Sequence, residues 1–249
     1  MLKITTIGSG SSGNCYILEC QLDNGEREAI ILEAGLSPQR VQKALNFNLR
    51  YVKGCLITHE HGDHAHYASK LNNNGIMIYA TEGTLCALGL NNNILAQPIK
   101  YKHRERTGKM FSIVPFETEH DAQEPCGFLI DCADGNRVLF ATDTYFLRYR
   151  FPDVTLFMIE CNYDEAILKR NIKDGVVNAV VGKRVRKSHM SITQCIDTLK
   201  ANDLSKTKAI VLVHLSSSNS NKDVFQKRVK EATGKLVYVA QKEETITIY

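Results

Sequence analysis

The sequence predicts an α/β protein with two sheets covered by helices, on two observations. Short apolar or β-branched runs alternate with helix-like segments. They do so in two similar halves, with no linker or low-complexity stretch between them. The first half opens with strand-like runs at 2–7, 14–20 and 28–33, separated by Gly/Ser and Asp-Asn-Gly turns. Ser37-Pro38 then starts a helix through about Leu45, with serine as cap and proline in the first turn. Cys55-Leu56-Ile57 reads as the end of a buried strand, 65–72 as a helix broken by Asn-Asn-Asn-Gly, and Ile76–Tyr79 as a strand. Another helix runs from Thr81 to Leu90.

The second half shows strand-like runs at Phe111–Phe116, Gly127–Cys132 and Arg137–Ala141. Asp134-Gly135-Asn136 is a hairpin turn between the last two. Val154–Ile159 and Ala209–Val213 are further apolar strands. Ser191-Ile192-Thr193-Gln194 is a capping box ahead of a helix whose apolar residues 192, 195, 196 and 199 share one face. A last helix starts at Ser220 and ends at Gly234, and two strands close the chain.

At 249 residues the chain can bury a large core, and a single domain over 1–249 is expected. No apolar run is long enough for a membrane span, and the N-terminus lacks the basic and apolar blocks of a secretory signal. Eight scattered cysteines without a C-x-x-C pair read as reduced thiols of a cytoplasmic protein. A net charge of +4 permits an anionic substrate without establishing one.

The chemistry concentrates in Thr58-His59-Glu60-His61-Gly62-Asp63-His64. Imidazole and carboxylate suit divalent cations such as zinc, manganese or iron. On extended backbone His59 and His61 point to the same side. After Gly62, Asp63 and His64 can turn toward a second point, so one stretch offers two ligand pairs. A solvated, histidine-rich turn is the plainer alternative. His120, Asp143 and His214 each follow an apolar strand, where ligands are expected. Taken alone, Asp143 reads as a helix cap and His214 as ordinary structure, so the case rests on the set. Gly8-Ser9-Gly10-Ser11-Ser12-Gly13-Asn14 can either present N–H groups to an anion or serve as a tight connection.

His-x-His-x-Asp-His at 59–64, then His120, Asp143 and His214 in order, resembles the ligand pattern of the metallo-β-lactamase superfamily along nearly the whole chain. The resemblance implies a four-layer αββα sandwich with two divalent metals at one edge of the sheets. It assigns His59, His61 and His120 to one metal, and Asp63, His64 and His214 to the other, with Asp143 bridging. Glu160, at a strand end, and His189, before the capped helix, look like the glutamate and histidine of the phosphodiesterase branch, which includes tRNase Z and RNase J. There the histidine assists at the scissile phosphate and the glutamate orients it; the bland alternatives are a surface carboxylate and a helix-entry residue. Gly8–Cys15, Glu160–Asp164, Ser188–Ser191 and His214–Asn219 together resemble the small bacterial WalJ/YycJ family, associated with metal-dependent DNA exonuclease activity. Tyr145 departs from that family, which usually carries glycine there.

The reaction this implies is attack on phosphorus by a water or hydroxide bridging the metals, with Asp63 also orienting the nucleophile. His189, kept in the right tautomer by Glu160, would neutralise the developing charge or protonate the leaving oxygen. Lys183, Arg184, Arg186 and Lys187 are candidate contacts to backbone phosphates, or simply a solvated face. Ser216 and Asn219 are further candidates for substrate contact. Tyr101–Arg106 and Arg148–Arg150 mix charge with aromatics and carry less weight. The expected partner is nucleic acid, DNA before RNA, and no membrane. The rivals are a thioester or lactone hydrolase like glyoxalase II, whose carbonyl chemistry the same metals serve, and a non-catalytic module retaining a metal site. The short spans from His120 to Asp143 and from Asp143 to His214 leave no room for the tRNA-gripping arm of tRNase Z or the extra domain of RNase J.

Overall fold

The computed structural model describes residues 1–249. The chain divides into two compact units. Unit 1 comprises Met1–Glu117, Ala122–Arg137 and Ala240–Tyr249; unit 2 comprises Thr118–Asp121 and Val138–Val239. In chain order the elements are β1 (Leu2–Gly8), β2 (Cys15–Gln21), β3 (Arg27–Leu32), α1 (Pro38–Ala44), β4 (Val52–Leu56), α2 (Gly62–Ala65), α3 (Ala68–Asn73), β5 (Ile78–Thr81), α4 (Glu82–Ala87), β6 (Ala96–Ile99) and β7 (Glu105–Thr107). There follow β8 (Phe111–Glu117), β9 (Cys126–Cys132), β10 (Arg137–Ala141), β11 (Leu156–Glu160), α5 (Glu165–Lys173), α6 (Ala179–Ser188), α7 (Ile192–Ala201), β12 (Ala209–Val213), α8 (Lys222–Thr233), β13 (Leu236–Val239) and β14 (Glu244–Ile248).

The strands form two mixed seven-stranded sheets, ordered β14-β1-β2-β3-β4-β5-β6 and β13-β12-β11-β10-β9-β8-β7. This is the α/β class expected from the sequence. In the first sheet β14, β1, β2 and β3 pair antiparallel, and β3 through β6 continue in parallel. In the second, β7, β8 and β9 are antiparallel and β10 through β13 parallel. Parallel strands are covered on both faces and read as unbroken apolar runs. Leu156–Glu160 and Ala209–Val213 are accordingly buried at every position. In unit 1, Ile17, Ile31, Cys55 and Ile78 of the first sheet share a core with Val41 of α1, Leu71 of α3 and Leu85 of α4. In unit 2, α7 contributes Ile192, Cys195 and Leu199 to the buried interior, and α8 contributes Phe225 and Val229.

Most predicted elements are present with ends shifted by a few residues. The final helix is capped by Asn221, not Ser220, and stops at Gly234 in the left-handed conformation (φ 68°). Helices α5 and α6 and strands β6 and β7 were not anticipated. The buried residues are only Leu168 in α5 and Gly182 and Ser188 in α6, so neither has a wide apolar stripe to read. Strands β6 and β7 are four and three residues long and bury one residue each. All eight cysteines are free, seven buried and Cys86 exposed. No helix is long and apolar enough to cross a membrane.

Parallel register decides where polar side chains gather. Ala141 pairs with Ile159 and Glu160 with Val213, so β10, β11 and β12 end side by side. Asp143, Glu160 and His214 therefore stand together at or just past the carboxyl ends of three adjacent parallel strands, where open α/β sheets place ligands. In unit 1, Leu32 pairs with Leu56, which sets Glu33 beside the start of the Thr58–His64 stretch.

Candidate metal centre

Unit 1 carries His59, His61, Asp63 and His64. His59 and His61 face each other as alternating backbone requires, with Nε2 of the first 3.1 Å from Nδ1 of the second. His59 Nδ1 lies 2.9 Å from Thr58 Oγ1, which fixes the ring from behind. Gly62 begins α2, one short turn capped by His61, and this turn brings Asp63 Oδ2 to 3.3 Å from His64 Nε2. His64 is fully buried, with Asn14 Nδ2 3.1 Å from its Nε2 and the Glu33 carboxylate 3.6 Å from its Nδ1. Burial pushes the Glu33 carboxyl up, against the opposing pull of His64 and Thr58. The Thr58 N–H donates to Glu33 Oε2, whereas Glu33 Oε1 is buried without a hydrogen bond.

The glycine-rich loop serves this turn. Gly10 N–H donates to Asn14 Oδ1, and Asn14 N–H donates to the Asp63 carbonyl at 2.7 Å. Gly35 lies against the same carbonyl; a Cβ there would come within 1.9 Å of it. Only glycine fits that approach, so the loop acts as a clamp on the histidine-rich turn.

Unit 2 carries His120, Asp143, Glu160, His189 and His214. Ligand atoms of the last four lie within 4.8 Å of one another. Glu160 is completely buried and fully engaged. Its Oε2 accepts from the Thr144 and Met190 N–H groups at 2.9 and 3.1 Å. Its Oε1 is 2.8 Å from His189 Nδ1 and 3.2 Å from His214 Nδ1. Burial alone would raise this carboxyl; the histidines, His189 foremost, outweigh it and hold it below the usual range. Burial would lower His189, but Glu160 and Asp143 favour the cation and raise it. Asp143 Oδ1 stands 3.0 Å from His214 Nδ1. His120 donates from Nδ1 to the Ser188 carbonyl at 3.0 Å, since only a donor can face that oxygen, which leaves Nε2 as the acceptor nitrogen. Burial holds His120 below its ordinary value, which favours the neutral ring that a metal ligand needs.

The donor set in both units fits divalent metals: buried imidazoles with one nitrogen held from behind, beside carboxylates. Three of the eight non-glycine residues with positive φ, Glu33 at 67°, Asp143 at 48° and His214 at 55°, fall at these clusters.

The basic run is divided by its helix. Val180, Lys183, Arg184 and Lys187, at positions i, i+3, i+4 and i+7 of α6, line one cleft with His120, Asp121 and Tyr145. Arg186 points elsewhere and forms hydrogen bonds of 2.9 to 3.1 Å with Glu165 of α5. Ser216 Oγ and Asn219 bond each other within the loop after β12, and Asn219 Oδ1 accepts from Asn171. Sequence reasoning missed Glu33, Asn14 and Asn162, whose Nδ2 donates to the His214 carbonyl at 2.8 Å. Glu33 had a readable signal, a carboxylate directly after Ile30-Ile31-Leu32.

Residues 29–215 match the model of the beta-lactamase superfamily domain. The exodeoxyribonuclease WalJ of Streptococcus pneumoniae is 27% identical over 240 residues, covering 89% of this chain and 84% of its own. Among solved structures, the metallo-beta-lactamase fold protein YhfI of Bacillus subtilis superposes with a TM-score of 0.73 at 16% identity, over 98% of each chain. Zinc-bound PqqB of Methylobacterium extorquens gives 0.70 at 15% identity, over 99% of this chain and 100% of its own. With three quarters of its length matched by the family and its histidines and aspartates clustered at strand ends, the chain belongs to the metallo-β-lactamase superfamily.

Proposed function

We propose that the protein is a two-metal phosphodiesterase acting on nucleic acid, and a DNA exonuclease in particular. Residues 1–249 would act as one domain to which both units contribute. The coarser part, a metallohydrolase of this fold with His/Asp donor clusters, follows from family and site. The observation that carries the finer part is the buried Glu160 carboxylate clamped to His189 at 2.8 Å. His59, His61 and His120 would hold one divalent ion, and Asp63, His64 and His214 the other, with Asp143 shared between them. Zinc, manganese or iron suits these donors. Bound there, the metals would supply a water of lowered pKa and charge stabilisation at phosphorus.

The chain's own residues do the remaining work. Glu160 keeps Nδ1 of His189 protonated and the ring oriented, so Nε2 can present a proton to the leaving oxygen. Thr144 and Met190 N–H groups hold Glu160 itself in place. Lys183 and Lys187, beside Arg184 in its ion pair with Asp121, supply positive charge along one helix face for backbone phosphates. The 27% identity to an exodeoxyribonuclease favours DNA over a thioester or lactone. The deciding assay incubates metal-stripped protein with end-labelled single- and double-stranded DNA and RNA, with manganese or zinc restored, and with Asp63→Ala as control. Metal-dependent cleavage lost in the variant establishes the nuclease. Thioester or lactone turnover without cleavage moves the assignment to the glyoxalase II-like rival.

A further inference from the structure

Tyr145 occupies the position where the WalJ/YycJ family usually has glycine, and nothing in the hydrolytic machinery uses it. Tyr145 is 38% exposed and lines the cleft of about 440 Å³ that also contains His120, Val180, Lys183, Arg184 and Lys187. The backbone beneath it is held on both sides. Thr144 before it is fully buried; its N–H donates to Glu160 Oε2, and its Oγ1 accepts from Glu119 N–H and donates to the Phe146 carbonyl. Arg148 after it is ion-paired to Glu119. An exposed ring on a braced turn loses little entropy when something stacks on it.

The same cleft is lined by cations. Lys183 and Lys187 stand one helical turn apart on the cleft face of α6 and make no ion pair, whereas Arg184 is neutralised by Asp121 at 3.0 Å. The cleft thus offers one flat aromatic ring and two ammonium groups, with His120 in the same lining. That combination matches one ligand chemistry, a strand whose bases stack while its phosphates pair with cations.

We infer that Tyr145 is a base-stacking platform for single-stranded nucleic acid, seating a nucleobase beside the scissile linkage while Lys183 and Lys187 hold flanking phosphates. This rests on the nuclease reading and deepens it. Tyr145 acts by positioning, since it carries no group the hydrolysis requires. The consequence is that the enzyme discriminates a base-bearing end from one lacking its bases, whatever the sequence.

The test uses the manganese-loaded full-length protein on end-labelled oligothymidylate and on the same oligomer with tetrahydrofuran abasic sites at both termini. The readout is the ratio of kcat/KM on the two substrates. Wild type should prefer the base-bearing end by roughly tenfold, the size of one aromatic stacking contact. Tyr145→Leu should collapse that ratio toward one, and Tyr145→Phe should retain it. Lys183→Gln combined with Lys187→Gln should lower kcat/KM on both substrates alike and flatten the salt dependence by about two phosphate contacts. Thermal melts of each variant control for folding. A wild-type ratio that survives in Tyr145→Leu, or that falls equally in Tyr145→Phe, overturns the stacking role. Wild-type protein that cleaves neither oligomer overturns the nuclease reading itself, which separates the two failures.

Discussion

Glu160 shows how much one carboxylate can organise. It accepts two backbone N–H groups and meets two imidazoles, and it does so with no exposure to solvent. Replacing it with Gln would leave His189 facing an amide that can donate as well as accept, and would remove the charge that favours the imidazolium. Glu160→Gln and His189→Ala should each lower kcat by about 10²–10⁴ while metal content, read by atomic absorption, stays at the wild-type level. An unchanged rate in His189→Ala would remove it from the mechanism. Gly35 acts at a distance from any proton. Because an added Cβ would collide with the Asp63 carbonyl, Gly35→Ala must displace the turn that presents Asp63 and His64. We expect about 1–3 kcal/mol of destabilisation in urea melts, together with weakened metal uptake.

The elements differ in how openly the sequence announces them. Strands β11 and β12 and helix α7 were legible because burial on every side, or on one helical face, leaves a plain pattern. Helices α5 and α6 were not, since they bury almost nothing; α5 and α6 are instead started by Asp164 and Asn178 caps and tied together by Arg186 and Glu165. The same exposure hid the division of the basic run, for the helical period groups Lys183, Arg184 and Lys187 on one face and turns Arg186 toward Glu165. Asp143 and His214 could be found because each follows an apolar strand; Asn14 and Asn162 could not, since a single asparagine in a loop carries no such signal. Capping can be measured directly. Ser191 and Gln194 satisfy each other's backbone groups at the start of α7, so Ser191→Ala should cost about 1 kcal/mol in thermal or urea unfolding. On β9, burial would raise Asp131, but Arg137 at 2.5 Å and Arg104 at 2.6 Å hold it below the usual carboxylate range. A lowered folded pKa stabilises above the unfolded carboxylate pKa and ceases to do so as pH falls through the folded value. The stability gap between wild type and Asp131→Asn should therefore be full at neutral pH and close in acid, as read by urea midpoints from pH 7 to pH 3.

For the molecule as a whole, the donor clusters tie folding to metal. Saturating manganese or zinc at about a hundred times its dissociation constant should add about 2.7 kcal/mol, raising Tm by about 5–10 °C over the chelated protein. A melting curve indifferent to chelator would show that the histidines bind no metal in the native state. The left-handed backbone at Glu33, Asp143 and His214 has a further consequence, for protein engineering. Asparagine tolerates that conformation as well as aspartate does and carries no charge to oppose Glu160. Asp143→Asn should thus leave the chelated protein as stable as wild type, or more so, while replacing an anionic oxygen of the donor cluster with a weaker neutral one. A laboratory selection for solubility or thermal endurance, run without an activity screen, would drift toward such substitutions and return sturdy, inert variants.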